Sequence, residues 1–151
     1  MPYAHDAVRA VVWREDALEL LDQRLLPTVE RYRRLTSAVE VAQAIHDMVV
    51  RGAPAIGIAA AYGVVLAARA RYAVDAAGWR TTIGSDLATL AAARPTAVNL
   101  FWALRRMERA IACSSGDPAA ALLVEARAIH EEDLAANRRL GELLARLRPT
   151  A

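Results

Sequence analysis

The sequence predicts a mainly helical α+β fold, a small N-terminal antiparallel β-meander followed by about five helices, and three observations carry this. Apolar residues alternate in short runs only before residue 36, and from Ala38 onward they recur at helical spacing. Hydrophobic residues make up 56% of the chain but aromatics only 5%, with much alanine, which suits helices packed at close backbone approach. Proline and glycine also gather at the ends of the periodic runs, at Gly52 and Pro54, at Pro95, and at Gly116 and Pro118. The 151 residues form a single domain by size, residues 1–35 the β-meander and residues 36–151 the helical part.

In chain order, Ala7 to Trp13 is rich in valine and Ala17 to Leu21 alternates, with Leu18 and Leu20 on one face, so the pair reads as a hairpin about Arg14-Glu15-Asp16. Thr28 to Leu35, with Val29 and Tyr32 among arginines, supplies an edge strand. Ser37 with Glu40 forms a capping box for an amphipathic helix over Ala38–Val50, with Val41, Ala44, Ile45 and Met48 on one face. A central helix runs from Pro54 to about Val74, its small residues Gly57 and Ala61 admitting a neighbour closely. Thr81–Ala93 is a further helix, stopped because Arg94 precedes Pro95. Thr96 caps the next, which reaches Cys113 on the stripe Leu100, Ala103, Leu104, Met107 and Ile111. Asp117 as N-cap and Pro118 at the first helical position open a last long helix ending near Leu147.

Composition removes several classes of function. The net charge of +2 is small and spread along the chain, so nucleic acid is not an implied partner. All 19 basic residues are arginine, which excludes Schiff-base chemistry and a P-loop lysine within this chain. One cysteine, Cys113, forms no internal disulfide, and no Cys/His spacing suggests a metal, so a reducing, cytoplasmic setting is expected. Met1 to Asp6 has neither a cationic nor an apolar region of a secretory signal. The longest uncharged run, Gly52 to Ala68, is too short to span a bilayer and reads as a core helix, so no membrane partner is expected.

Chemistry concentrates at Val50-Arg51-Gly52-Ala53-Pro54-Ala55-Ile56-Gly57. Gly52 permits a close turn, Pro54 suits the first turn of a helix, and the free amides there point back towards Arg51. Backbone donors, the helix dipole and a guanidinium fork together favour a phosphate or carboxylate. Arg94-Pro95-Thr96 repeats the arrangement, so Arg51 and Arg94 clamp one anion if the two helix starts converge. The alternative at both places is a plain helix boundary with a solvated arginine. His5, His46 and His130 have no partner recognisable from spacing and receive no role. Glu131-Glu132-Asp133 reads as a solvated face, and Trp13, Trp79 and Trp102 as packing residues.

These residues carry a resemblance. Met48-Val49-Val50-Arg51-Gly52-Ala53-Pro54-Ala55-Ile56-Gly57, Leu21-Asp22-Gln23 with Leu26-Pro27, Arg94-Pro95-Thr96-Ala97-Val98-Asn99-Leu100 with Trp102-Ala103, and Glu132-Asp133 with Asn137 resemble, in this order, the methylthioribose-1-phosphate isomerases. That family sits in a wider group with ribose-1,5-bisphosphate isomerase and the regulatory subunits of translation initiation factor 2B.

The resemblance implies an aldose-ketose isomerase of methionine salvage that converts methylthioribose 1-phosphate to methylthioribulose 1-phosphate without nicotinamide or metal, as a cytoplasmic homodimer. It also implies that Arg51, Gly52, Ala53 and Arg94 contact the phosphosugar. Family members are longer, and their catalytic cysteine and aspartate lie in a Rossmann-like C-terminal half. This sequence ends at Ala151, before either, so no catalytic residue is expected in it, and Cys113 is not promoted to that role. The chain is then an N-terminal, substrate-binding part that needs a catalytic half or partner chain. The alternatives are a regulatory or assembly module of the same group and a helical interaction domain, and all three leave an apolar face bare.

Overall fold

The computed structural model of the protein describes residues 9–149. Strands β1 (Val11–Arg14), β2 (Ala17–Leu21) and β3 (Tyr32–Leu35) form an antiparallel sheet in the order β1-β2-β3. Trp13 is opposite Leu18 in the first pairing and Leu18 opposite Leu35 in the second. Leu18, Leu20 and Leu35 turn into the core, while Glu19 faces out between Arg14 and Arg34, bonding the first at 3.1 Å. The hairpin and the edge strand are therefore as the alternation predicts. The strand expected from Ala7 starts only at Val11, its first two positions lying outside the described residues. The segment from Thr28 contributes only its last four residues to β3, because Gln23–Leu25 winds into a 3-10 turn and the chain remains irregular to Arg31.

Helix α1 (Ala38–His46) opens with the expected capping box, Ser37 Oγ accepting the Glu40 amide at 3.2 Å. It stops four residues short of Val50. The Met48 amide reaches back to the Ile45 carbonyl (3.2 Å) and the Val49 amide to that of Ala44 (3.0 Å), a Schellman closure with Met48 in the left-handed region at φ 63°. Val49 and Val50 are then free to plunge into the core. A side chain pays for that backbone where glycine would not, so Met48→Gly is expected to raise stability by about 0.5–1 kcal/mol, read as a higher urea midpoint with an unchanged slope.

Helix α2 (Ala53–Val74) is buried at every residue from Ile56 to Ala68. The remaining helices are α3 (Trp79–Thr82), α4 (Gly84–Ala93), α5 (Val98–Cys113) and α6 (Ala119–Arg146). Helices α1, α5 and α6 and the sheet pack round α2, and α4 closes the layer against α1. Among the described residues α2 is the one helix long and apolar enough to cross a membrane, and 72% of its apolar window is buried by these neighbours. Gly63 lets Val41 and Leu90 reach it, since a methyl there would lie 3.1 Å from each.

The helix expected over Thr81–Ala93 is broken at Ile83 into α3 and α4. Thr82 and Ser85 hydroxyls bond back to the Trp79 and Thr82 carbonyls, competing with the helical ladder just where Trp79 and Ile83 are drawn into the core. Helix α5 buries the predicted stripe, Leu100, Ala103, Leu104, Met107 and Ile111. Asp117 accepts the Ala119 amide at 3.0 Å as a cap would, while the N-cap position itself falls one residue later than expected, at Pro118. Beyond Leu134 the helix leaves the body, and Leu140, Leu143, Leu144 and Leu147 are 49–77% exposed, an apolar stripe without a cover among the described residues.

Candidate functional site

Two helix starts meet. A methyl built at Gly57, in the second turn of α2, would lie 2.8 Å from the carbonyl oxygen of Asn99, in the first turn of α5. Only a glycine admits that approach, so the second turn of α2 lies directly against the first turn of α5. Neither start is capped by a side chain. Gly52, at φ 91°, precedes α2 and offers none. Thr96 does not cap α5 as predicted: Ala97 holds the extended N-cap conformation, one residue later, and makes no side-chain bond. The amides of Ala53, Ala55, Val98 and Asn99 thus donate to no described group, and all four point out of the first turns of converging helices.

Arg51 stands exposed two residues before α2, and Arg94, half-buried, at the C-terminal cap of α4 before α5. Neither guanidinium bonds any described residue, in contrast to Arg24, Arg34, Arg71 and Arg106, which are all paired with carboxylates. The loop that presents Arg51 is anchored at several points. The Schellman closure fixes its start, the buried Val49 and Val50 anchor it, and the Gln23 amide donates to the Val49 carbonyl at 2.9 Å. Next to Gln23, the buried Asp22 takes Arg24 Nε and Nη2 at 2.9 and 2.7 Å. The Arg24 guanidinium holds the Asp22 carboxyl below the usual carboxylate range. The Leu21-Asp22-Gln23 segment therefore braces the Arg51 loop from behind.

A cleft of about 330 Å³ opens beside the junction, lined by Pro54, Gly57, Asn99, Trp102, Glu132 and Asp133 among others. Trp102 is 45% exposed, which corrects its assignment to packing; Trp79 is buried as expected, and Trp13 is half-buried on Tyr62 with ring centroids 5.4 Å apart. Arg106 lies 5.5 Å from the Trp102 ring centroid and bonds both Glu125 and Glu132 of α6. Glu132 is thus an ion-pair partner, and only Glu131 of the acidic run behaves as a plainly solvated group. The bonds from Arg106 to α6 are not visible from spacing, since their partners are 19 and 26 residues away and on a different helix.

His130 also has a partner that spacing could not reveal: its Nδ1 lies 3.0 Å from the Tyr62 hydroxyl on α2. Burial pushes the Tyr62 phenol up to about 12 and lowers the His130 pKa, with Arg9 adding to the latter and Asp133 and Glu131 opposing it. A histidine whose folded pKa is depressed favours its neutral form. Its contribution to stability is present above the unfolded value near 6.5 and is lost as pH falls from there towards the folded pKa. Melting temperature measured from pH 8 to 5 is expected to fall below about 6.5, and His130→Gln to flatten that fall. His46 is exposed beside Asp47 (3.1 Å), His5 lies outside the described residues, and Cys113 is exposed at the end of α5, away from the cleft. Among the described residues no group of His, Cys, Asp and Glu is placed to hold a metal ion.

The chain is similar to known proteins along most of its length. Residues 49–147 match the family described as the initiation factor 2 subunit family. The chain is 59% identical to a methylthioribose-1-phosphate isomerase of Nitrosococcus oceani, covering 95% of this chain and 42% of the relative. It is 60% identical to that of Methylococcus capsulatus, covering 93% and 40%. The chain therefore spans about two-fifths of the length of the curated relatives it matches. Among solved structures it superposes on the 5-methylthioribose 1-phosphate isomerase of Pyrococcus horikoshii OT3 with a TM-score of 0.87 at 36% identity, over 93% of this chain and 41% of that one. It superposes equally, at TM-score 0.87 and 36% identity, on translation initiation factor eIF-2B subunit delta of A. fulgidus, over 96% and 43%. With the match covering most of its length and the fold shared throughout, the chain belongs to the initiation factor 2 subunit family.

Proposed function

We propose that this chain is the N-terminal, phosphosugar-binding part of an S-methyl-5-thioribose-1-phosphate isomerase, the aldose-ketose isomerase of methionine salvage. One observation carries the reading: two uncapped helix starts pressed together at Gly57 and Asn99, each preceded by an arginine that no described carboxylate neutralises. Unsatisfied amides, two helix dipoles and two guanidinium forks suit a dianionic phosphate. Arg51, the Gly52-Ala53 backbone and Arg94 hold the phosphate, and no cofactor or metal takes part. Identity of 54–60% to relatives of that name supports this choice of sugar phosphate.

The acid-base groups belong to a C-terminal half outside residues 1–151, and the whole works as a cytoplasmic homo-oligomer. The equal superposition on the initiation-factor subunit supports a second reading, a regulatory or assembly module binding a phosphorylated ligand through the same site. Turnover of 5-methylthioribose 1-phosphate separates them. The purified chain alone is expected to be inactive and to gain isomerase activity when mixed with the separately expressed C-terminal half of a close relative. Activity of the chain alone overturns the placing of the catalytic groups. Ligand binding without complementation by several such halves favours the regulatory module.

A further inference from the structure

The cleft beside the helix junction differs in chemistry from the junction itself. Trp102 offers it a broad apolar face and is not loose, because Arg106 lies against the ring and is itself tied to α6 through Glu125 and Glu132, Nη2 to Glu132 Oε1 at 2.8 Å. Two carboxylates line the same cleft. Glu132 is committed to Arg106, whereas Asp133 takes only the Asn137 amide at 3.3 Å and keeps lone pairs to spare. A phosphate set against these carboxylates would be repelled, while hydroxyl donors would be welcome. The anion therefore belongs at the free amides and arginines, and the cleft takes what is uncharged.

We propose that the cleft holds the uncharged end of the sugar phosphate, hydroxyl groups on Asp133 and Asn99 and the methylthio group against Trp102, which makes Trp102 a specificity-determining residue. The proposal rests on the ligand assignment made above. A polarisable thioether gains from an indole face, and a 5-hydroxyl in its place would instead lose hydrogen bonds to water there. Since Trp102 is 45% exposed and its brace is on other residues, its replacement spares the core.

Calorimetric titration of the unaltered chain, Trp102→Ala and Trp102→Phe with 5-methylthioribose 1-phosphate, ribose 1-phosphate and inorganic phosphate tests this. The unaltered chain is expected to prefer the methylthio ligand to ribose 1-phosphate. Trp102→Ala is expected to cut that preference roughly three- to tenfold while leaving the affinity for inorganic phosphate unchanged, and Trp102→Phe to restore most of it. An unchanged preference in Trp102→Ala, or equal weakening towards all three ligands, overturns the role of Trp102 and leaves the phosphate site standing. Binding of phosphate without any binding of 5-methylthioribose 1-phosphate by the unaltered chain overturns the ligand assignment and this proposal with it.

Discussion

Arg51→Ala and Arg94→Ala are each expected to weaken binding of 5-methylthioribose 1-phosphate by about 1.5–3 kcal/mol, the range for a hydrogen bond to a charged group. That corresponds to roughly 10- to 150-fold in dissociation constant. Both side chains are free of described carboxylate partners, so truncation removes no ion pair from the fold and the loss falls on the ligand. If the arginines grip one phosphate, the double variant loses less or more than the sum of the single losses, and the coupling exceeds about 0.5 kcal/mol. Lysine at either position retains charge but not the fork, so it recovers only part of the affinity. Effects near zero, or strictly additive ones, sink the clamp.

Gly57→Ala is expected to cost about 1–3 kcal/mol of stability, although alanine is otherwise the better helix former. The added methyl meets the Asn99 carbonyl oxygen at 2.8 Å, and that atom is backbone, fixed in the first turn of α5, with Ala103 Cβ another 3.6 Å contact behind it. Relief requires α5 to move away from α2, and that movement also separates the two helix starts. Stability and phosphate affinity should therefore fall together, as measured by urea unfolding and by titration on the same protein. Gly84→Ala makes the control, because nothing lies within 4 Å of a methyl at Gly84. A stable Gly57→Ala protein with full affinity would show that the close crossing does not build the site.

The parts of the fold that local chemistry decides were legible in the chain. The capping box at Ser37 and Glu40, the bond from the Ala119 amide to Asp117 and the stripe of α5 each depend on residues within a few positions of one another, and each is where spacing puts it. The end of α1 was not legible because it rests on Met48 adopting a left-handed conformation that its side chain disfavours, imposed by Val49 and Val50 seeking the core. The break at Ile83 likewise follows from tertiary packing overriding a local preference, while the α5 cap falls one residue after Thr96, at Ala97. At the site, the sequence marks Arg51, Gly52, Ala53 and Arg94, since glycine, proline and arginine announce a helix start. It gives no sign of the Arg106–Glu132 pairing or of the Tyr62–His130 bond, whose partners meet only once α5, α2 and α6 have packed. One signal was available: Trp102 and Arg106 are four apart, hence neighbours on one face of α5.

The most direct measurement is a calorimetric titration of the purified chain with 5-methylthioribose 1-phosphate, repeated with Arg51→Ala and Arg94→Ala. The expected result is one ligand per chain, displaced by inorganic phosphate and weakened at least tenfold by either substitution. No binding at millimolar ligand, or binding indifferent to both arginines, contradicts a phosphosugar site at the junction of α2 and α5.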